Sequence, residues 1–288
     1  MKEKYVYLDW NAFKYLKDND KSDFSKKLLE LKEKYRVPYS LNHLCDLQKN
    51  YSPDKWELVK SDLDFLVKYT DGYLLGTYEG DYNLSNQFNI YDKFEEIYNY
   101  NKLENTFNIA DEKLDKIIDE IKLKGFKEFF KGGNENLFPI IMKQGMSRFN
   151  ANYKLYKLYR DIILSTFSES KEAIFLENIK QYPLNYSVFK DAVNTFFIKF
   201  GNKSNDKNKL VFAYSLLDYN EHFKEKISRK SNFSNIYNDG EHLSNAKDAE
   251  MYITRDEALI ERGKYVFNAY EIKTPIYSIK KFSNLPLG

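Results

Sequence analysis

The amino-acid sequence predicts an α/β core whose two halves lie at opposite ends of the chain, with a large helical insertion between them. Three observations predict it. Short β-branched and aromatic runs alternate with amphipathic stretches over residues 1–50. The same alternation returns over residues 233–288. Between them, apolar residues recur at the i, i+3, i+4 spacing of helices. The expected organisation is therefore a discontinuous core of 1–50 and 233–288, and a helical block of 51–232, part of which is available to complete the core.

Lys4 to Leu8 is short, β-branched and aromatic, and reads as a strand closed by Asp9-Trp10-Asn11. Helical stretches follow at Ala12–Leu16 and Ser25–Lys34. Val37 precedes a proline and is pushed out of the α region, so Val37-Pro38-Tyr39 is extended. Ser40 suits the N-cap of a helix over Leu41–Lys49. Helical spacing marks Trp56–Tyr69, Ala110–Lys122, Phe149–Phe167, Ser170–Gln181 and Ser187–Phe200, and Tyr73–Tyr78 reads as one further strand. Lys131–Asn136 and Gly201–Asn208 read as loops. Asn238-Asp239-Gly240 reads as a polar turn before a short helix, Glu241–Ala249. A strand at Met251–Thr254, a helix at Asp256–Phe267 and a strand at Ile276–Ile279 complete the alternation.

Composition narrows the class. Hydrophobic residues make up 42% of the 288, enough for a packed core. The net charge of +2 does not advertise a nucleic-acid-coating surface, although an acidic site can offset a basic groove in the total. Cys45 is the single cysteine, which removes internal disulfides and cysteine-rich zinc clusters and fits a reducing compartment. The opening MKEKYVYLDW has neither a long apolar segment nor a small-residue cleavage site. No apolar run approaches the roughly 20 residues that cross a bilayer. The expectation is a soluble, cytoplasmic protein with no membrane partner.

Four carboxylates stand where strands end or on the helices beside them: Asp9, Asp46, Asp239 and Asp256. In an open parallel sheet the carboxyl ends of the strands form the ligand crevice, so acids from distant positions can meet there. Clustered carboxylates do not all stay charged without a counter-cation. Mg²⁺ or Mn²⁺, hard cations that take oxygen ligands, suit such a set. Other chemistries lack their signatures. There is no glycine-rich phosphate loop and no Gly-x-Ser-x-Gly elbow, and the histidines are scattered. Each acid also has an ordinary reading: a turn residue for Asp9, a solvated helix face for Asp46, helix caps for Asp239 and Asp256.

Taken in order, the segments resemble the PIN-domain nucleases. YLDWNAF (7–13) resembles the family's opening strand, with its terminal Asp and an Asn two residues on. PYSLNHLCDL (38–47) resembles the second motif, a Ser-capped helix bearing an acid. DGEHLSNA (239–246) resembles the third, and YITRD (252–256) the fourth, a strand ending in Thr-x-Asp. The tail 259–276 is similar to the closing helix and strand, whereas the central block matches nothing in the family. The family usually has Glu where this chain has Asp46. The resemblance implies a three-layer α/β/α PIN-like parallel sheet with a large α-helical insertion. It implies that Asp9, Asp46, Asp239 and Asp256 are catalytic acids holding Mg²⁺ or Mn²⁺. Asn11 and Thr254 would orient them, Ser40 would face the site, and His242 would contact a scissile phosphate or orient Asp239. The implied activity is a metal-dependent endonuclease, foremost a single-strand endoribonuclease of toxin, RNA-processing or phage-defence type. Its partners would be RNA or single-stranded DNA, with an antitoxin or defence-system protein. The alternative is a catalytically degenerate binding module, prompted by Asp46 in place of Glu.

Within the helical block, SRFNANYKLYKLYRDI (147–162) interleaves basic and aromatic residues. Lys154, Lys157 and Arg160 recur every three residues, a spacing that suits phosphate contacts beside stacked bases. A second basic run spans Lys224–Lys230. The same positions also read as ordinary solvated surface.

Overall fold

The computed structural model describes residues 3–49, 51–78, 81–104, 109–131, 134, 136–166, 179–180, 184–200 and 206–286. In chain order, β1 (Val6–Leu8), α1 (Trp10–Asp18), α2 (Asp23–Lys32), β2 (Tyr39–Ser40), α3 (Leu41–Gln48), α4 (Trp56–Thr70), β3 (Leu74–Tyr78), β4 (Asp81–Ser85) and α5 (Ile90–Glu104) come first. The middle of the chain holds α6 (Asp111–Lys124), α7 (Phe126–Lys131), α8 (Leu137–Gly145), α9 (Tyr153–Thr166), α10 (Tyr186–Phe200) and α11 (Asp206–Leu216). The last stretch comprises α12 (Phe233–Asn245), β5 (Met251–Thr254), α13 (Glu257–Ala269), β6 (Ile276–Ser278) and α14 (Ile279–Ser283).

The fold is mixed α/β. One sheet has the order β1-β5-β6 and is wholly parallel, in the register Tyr7↔Tyr252 and Tyr252↔Ile276. The first strand thus pairs directly with a strand some 250 residues away in number, which unites the two ends of the chain. A second sheet has the order β2-β3-β4, with β2 parallel to β3 and β4 antiparallel to it. A parallel bridge between Tyr5 and Arg36 ties β1 to the segment that leads into β2. The hairpin partner β4 and the helix α5 were not anticipated by the sequence reading, and β4 makes the second sheet mixed rather than parallel.

Alternation along β1 and β5 sorts their side chains onto two faces. Val6, Leu8 and Ile253 join a buried cluster with Phe13 and Leu16 of α1, Phe24 and Leu28 of α2, Leu44 and Leu47 of α3, and Leu63 and Leu66 of α4. Each fully buried side chain of this size contributes roughly 1.5–3 kcal/mol. The opposite face carries Tyr5, Tyr7 and then Asp9 on the first strand, with Tyr252 and Thr254 on its neighbour. All five are buried. A polar layer therefore lies inside the protein, and a one-residue slip of either strand would exchange it with the apolar one.

The chain divides into two compact units, 1–97 with 185–214 and 238–288, and 98–184 with 215–237. Residues 51–97 and 185–214 thus belong with the chain ends. The second unit has its own core of Leu114, Ile117, Ile118, Ile121, Phe129, Ile141 and Leu155. Predicted segments mostly match, within a few residues at each end. Of Ser170–Gln181 only 179–180 are described; 201–205 lie outside the described residues, and Asp206–Asn208, read as loop, opens α11.

Asn238-Asp239-Gly240 is no turn; it sits inside the continuous helix α12. Gly240 is there for packing. A Cβ at this position would stand 3.1 Å from the Val211 carbonyl oxygen and 3.2 Å from its Cα, so the glycine lets α12 approach the backbone of α11.

Candidate functional site

The polar face of the sheet meets two helices whose polar residues fall at core spacing. On α3 these are Asn42 and Asp46, continued by Lys49 at its C-cap; on α12 they are Asn238, His242 and Asn245. Both sets follow i, i+4, i+7, the spacing that places side chains on one stripe. Here the stripes face each other and pair. Asn245 Nδ2 donates to Asn42 Oδ1 (3.1 Å), and Asn42 Nδ2 donates to Asn238 Oδ1 (3.1 Å). Asn238 Nδ2 in turn donates to Asp46 Oδ1 (2.8 Å). Asp46 Oδ1 also takes the Lys49 ammonium at 2.9 Å, and Oδ2 lies 2.9 Å from His242 Nε2. Burial pushes the Asp46 carboxyl up, but Lys49 and His242 together outweigh it and hold the group below the ordinary carboxylate range. Asp46 is therefore ionised, and the proton of that contact sits on His242 Nε2.

The network continues across the sheet. His242 Nδ1 lies 2.8 Å from the Tyr7 hydroxyl, which lies 2.8 Å from Ser40 Oγ. Ser40 is 3.0 Å from His43 Nδ1 through its hydroxyl, and its backbone N–H donates to the same nitrogen at 2.9 Å. A backbone N–H can only donate, so Nδ1 of His43 is an acceptor. Its Nε2, 2.8 Å from the Leu8 carbonyl oxygen, is then the protonated nitrogen. His43 is neutral, as burial and the neighbouring His242 require; together they push its imidazole down to about 3. Tyr5 closes the layer by donating to the Asn245 carbonyl at 2.7 Å.

Asp9 stands at the carboxyl end of β1, where it caps α1 by accepting from the Ala12 N–H at 2.8 Å. Its other oxygen accepts from the Thr254 hydroxyl at 2.6 Å. Thr254 Oγ1 itself accepts the N–H of Asp256 at 3.0 Å, and Asp256 caps α13 through the Leu259 N–H. Thr254 thus bonds the carboxylate of Asp9 and the backbone, not the carboxylate, of Asp256. Asp9 is 3% exposed. Burial, with a smaller push from Asp46, raises its carboxyl to about 6 against the pull of His242, Thr254 and Ala12. Asp239 is half-buried on α12. Burial works against the charge of Lys49, yet Asp46 and then Asp239 hold its pKa above the ordinary lysine value. Tyr252 is raised by burial first, then by the charges of Asp9, Tyr7 and Asp239. Asp46 thus acts on Asp9, and Asp239 on Lys49 and Tyr252, while only the backbone N–H of Asp256 reaches Thr254.

Several sequence-predicted roles change. Asn11 is exposed on the first turn of α1, and the donors on Asp9 are Ala12 and Thr254 instead. His242 is buried, with its ring on Asp46 and Tyr7, so it orients Asp46 rather than Asp239 and is not open to a phosphate. Ser40 caps its helix but faces Tyr7 and His43. Asp239 is a mid-helix residue, not a cap. In the second unit, Arg160 is buried on Asp218 at 3.0 Å, and its other contact is the Glu225 carbonyl at 2.8 Å. Tyr156 donates to the same Asp218 oxygen. Lys154 pairs with Asp115, and Lys157 alone of the three is exposed. The row of three cations is therefore not one surface, because a three-residue step drifts around a helix of 3.6 residues per turn.

An all-carboxylate set would suit a hard divalent cation, but the structure does not gather Asp9, Asp46, Asp239 and Asp256 into such a site. Among the described residues, no group of three or more His, Cys, Asp and Glu side chains stands where it could hold a metal ion. The internal donors hold the acids instead, with Lys49 supplying the positive charge. No helix among the described residues is long and apolar enough to cross a membrane. The chain matches no protein-family model, no curated protein and no solved structure.

Proposed function

We propose that this chain is a PIN-like, Mg²⁺- or Mn²⁺-dependent endonuclease that hydrolyses phosphodiester bonds in single-stranded RNA. What supports the reading is one relationship: at the ends of the paired strands β1 and β5, the Asp9 carboxylate accepts from the Thr254 hydroxyl at 2.6 Å, and that hydroxyl accepts the backbone N–H of Asp256. Asp9 and Asp256, 247 residues apart in number, thus stand at neighbouring strand ends as the family resemblance pairs them. Asp9, Asp46, Asp239 and Asp256 would hold the metal, which when bound supplies Lewis acidity toward water and the phosphodiester.

The chain's own residues do the positioning. Thr254 and the Ala12 N–H fix the carboxylate plane of Asp9. His242 and Asn238 fix that of Asp46, while Tyr7, Ser40 and His43 brace His242 from behind. Burial of Asp9 raises the free energy of its charge, and a cation relieves that cost. The three-layer fold, the RNA substrate and a role as toxin, RNA-processing or defence enzyme belong to this proposal.

A second reading has its own observation. Both oxygens of Asp46 are already engaged by Lys49, Asn238 and His242, an arrangement that is complete without a metal. That favours a non-catalytic binding module. Incubating labelled single-stranded RNA and DNA with the protein and Mn²⁺ separates the two. Cleavage by the wild type that Asp9→Asn abolishes supports the nuclease. Binding without cleavage of either polymer supports the module.

A further inference from the structure

In the second unit, an arginine and four aromatic rings form a cluster. The Arg148 guanidinium lies 5.5 Å from the Phe149 ring centre and 5.6 Å from that of Tyr237. Tyr100 meets Phe149 edge-on at 5.9 Å, and Phe233 packs on Tyr237 at 5.9 Å. Phe233 is buried and anchors the group, while Arg148, Phe149 and Tyr237 are half-exposed. Tyr100 is 59% exposed, a large apolar ring left in water. A core cluster would bury these rings.

A basic loop is fastened to the same helix. Ser228 and Ser231 exchange backbone hydrogen bonds that close a tight turn, and Asn235 Nδ2 of α12 donates to the Lys230 carbonyl. One residue before, Ser234 donates to the Arg148 carbonyl. The opening turns of α12 therefore hold the loop and the arginine together. Lys224, Lys226, Arg229 and Lys230 are all exposed, while the intervening Glu225 bonds Ser231.

We infer that this surface binds single-stranded nucleic acid, with Tyr100, Phe149 and Tyr237 stacking unpaired bases around Arg148 and the 226–230 loop contacting phosphates. Guanidinium planes and aromatic rings both stack on bases, and exposed cations beside them neutralise the backbone. A duplex hides its base faces, so this combination selects unpaired strands. The surface replaces the row of Lys154, Lys157 and Arg160, which burial of Arg160 breaks up. The inference deepens the nuclease reading and rests on it for the class of polymer.

Fluorescence anisotropy of a labelled oligouridine with the full chain in EDTA tests it, over a series of salt concentrations. The wild type binds the oligouridine and prefers it to a duplex RNA. Tyr100→Ala weakens binding about tenfold, the scale of one lost stacking contact, with an unchanged salt slope. Arg229→Glu with Lys230→Glu weakens binding and flattens the slope by about 0.7 per lost phosphate contact. Lys157→Glu leaves both unchanged. An oligothymidylate arm reads the sugar, and equal binding assigns the platform to unpaired bases on either backbone. Absence of wild-type binding, equal affinity for duplex, or an unaffected Tyr100→Ala overturns the inference. Cleavage by a chain that fails to bind here removes this surface and leaves the nuclease; binding by a chain that never cleaves does the reverse.

Discussion

Nε2 of His242 lies 2.9 Å from Oδ2 of Asp46, 196 positions earlier, and Nδ1 of the same ring lies 2.8 Å from the Tyr7 hydroxyl. One imidazole thus links both polar helices to the sheet. It is 1% exposed, so water does not replace it readily. His242→Ala leaves the Asp46 carboxylate and the Tyr7 hydroxyl each short of a buried partner. The expected cost is roughly 2–4 kcal/mol, from two groups left unsatisfied. His242→Gln, able to keep one contact, recovers part of it. Urea denaturation midpoints measure both, and a loss below about 0.5 kcal/mol, the level of an indifferent surface change, contradicts the network.

The raised carboxyl of Asp9 makes a pH prediction. A group at about 6 in the folded chain and 3.8 in the free one binds its proton more tightly when folded. Its contribution therefore falls as pH rises from about 4 through about 6, and the penalty is complete above that. Asp9→Asn keeps the cap acceptor for Ala12 and removes the charge. In EDTA at pH 8 it should be more stable than wild type by about 2–3 kcal/mol. Near pH 4 the difference should vanish. His43, held neutral and pushed down to about 3, has the opposite slope, and stability is lost as pH falls below the ordinary histidine range. Comparing wild type with Asp9→Asn cancels that shared term.

Lys49 supplies the charge that a metal would otherwise bring to Asp46. Lys49→Gln frees that oxygen of its ammonium. Mn²⁺ should bind this variant about tenfold more tightly than wild type, since one charge-assisted hydrogen bond no longer has to be broken first. Calorimetric titration reads it. Weaker binding by the variant would instead make Lys49 a supporting group of the site.

In the second unit, Arg160 and Lys157 lie one turn apart and should behave differently. Arg160→Ala removes the countercharge of the buried Asp218, which keeps only neutral donors such as Tyr156 and the Glu225 N–H, and should cost about 3–5 kcal/mol. Lys157→Ala should stay within about 0.5 kcal/mol. Thermal unfolding of the two variants decides it.

Much of the fold could be read in the sequence because the relevant signals are local. Met251–Thr254 has strand chemistry on its own, and Asp256 beside Leu259 is a cap before an apolar run. Asp9 at the end of its strand and Asp256 as a helix cap were legible for the same reason. Asn238-Asp239-Gly240 misled because its composition is that of a turn, whereas Gly240 answers to a helix 29 residues away in number, at Val211. The polar layer was missed altogether. Asn42, Asp46 and Lys49 look like a solvated face until they meet Asn238, His242 and Asn245, and neither stripe alone says that it faces another. Two polar stripes at core spacing are the signal that was there to be found. Arg160 was misread because a three-residue period resembles a row but rotates from solvent into the interior within two turns.

Acids at both ends of the chain are proposed to form one cation site, and titrating Mn²⁺ into metal-stripped wild type and Asp9→Asn, followed by calorimetry, tests this most directly. The wild type should give a saturable heat that Asp9→Asn loses, together with stabilisation of only the wild type by the metal. Equal heats for the two proteins, or none for either, would contradict it.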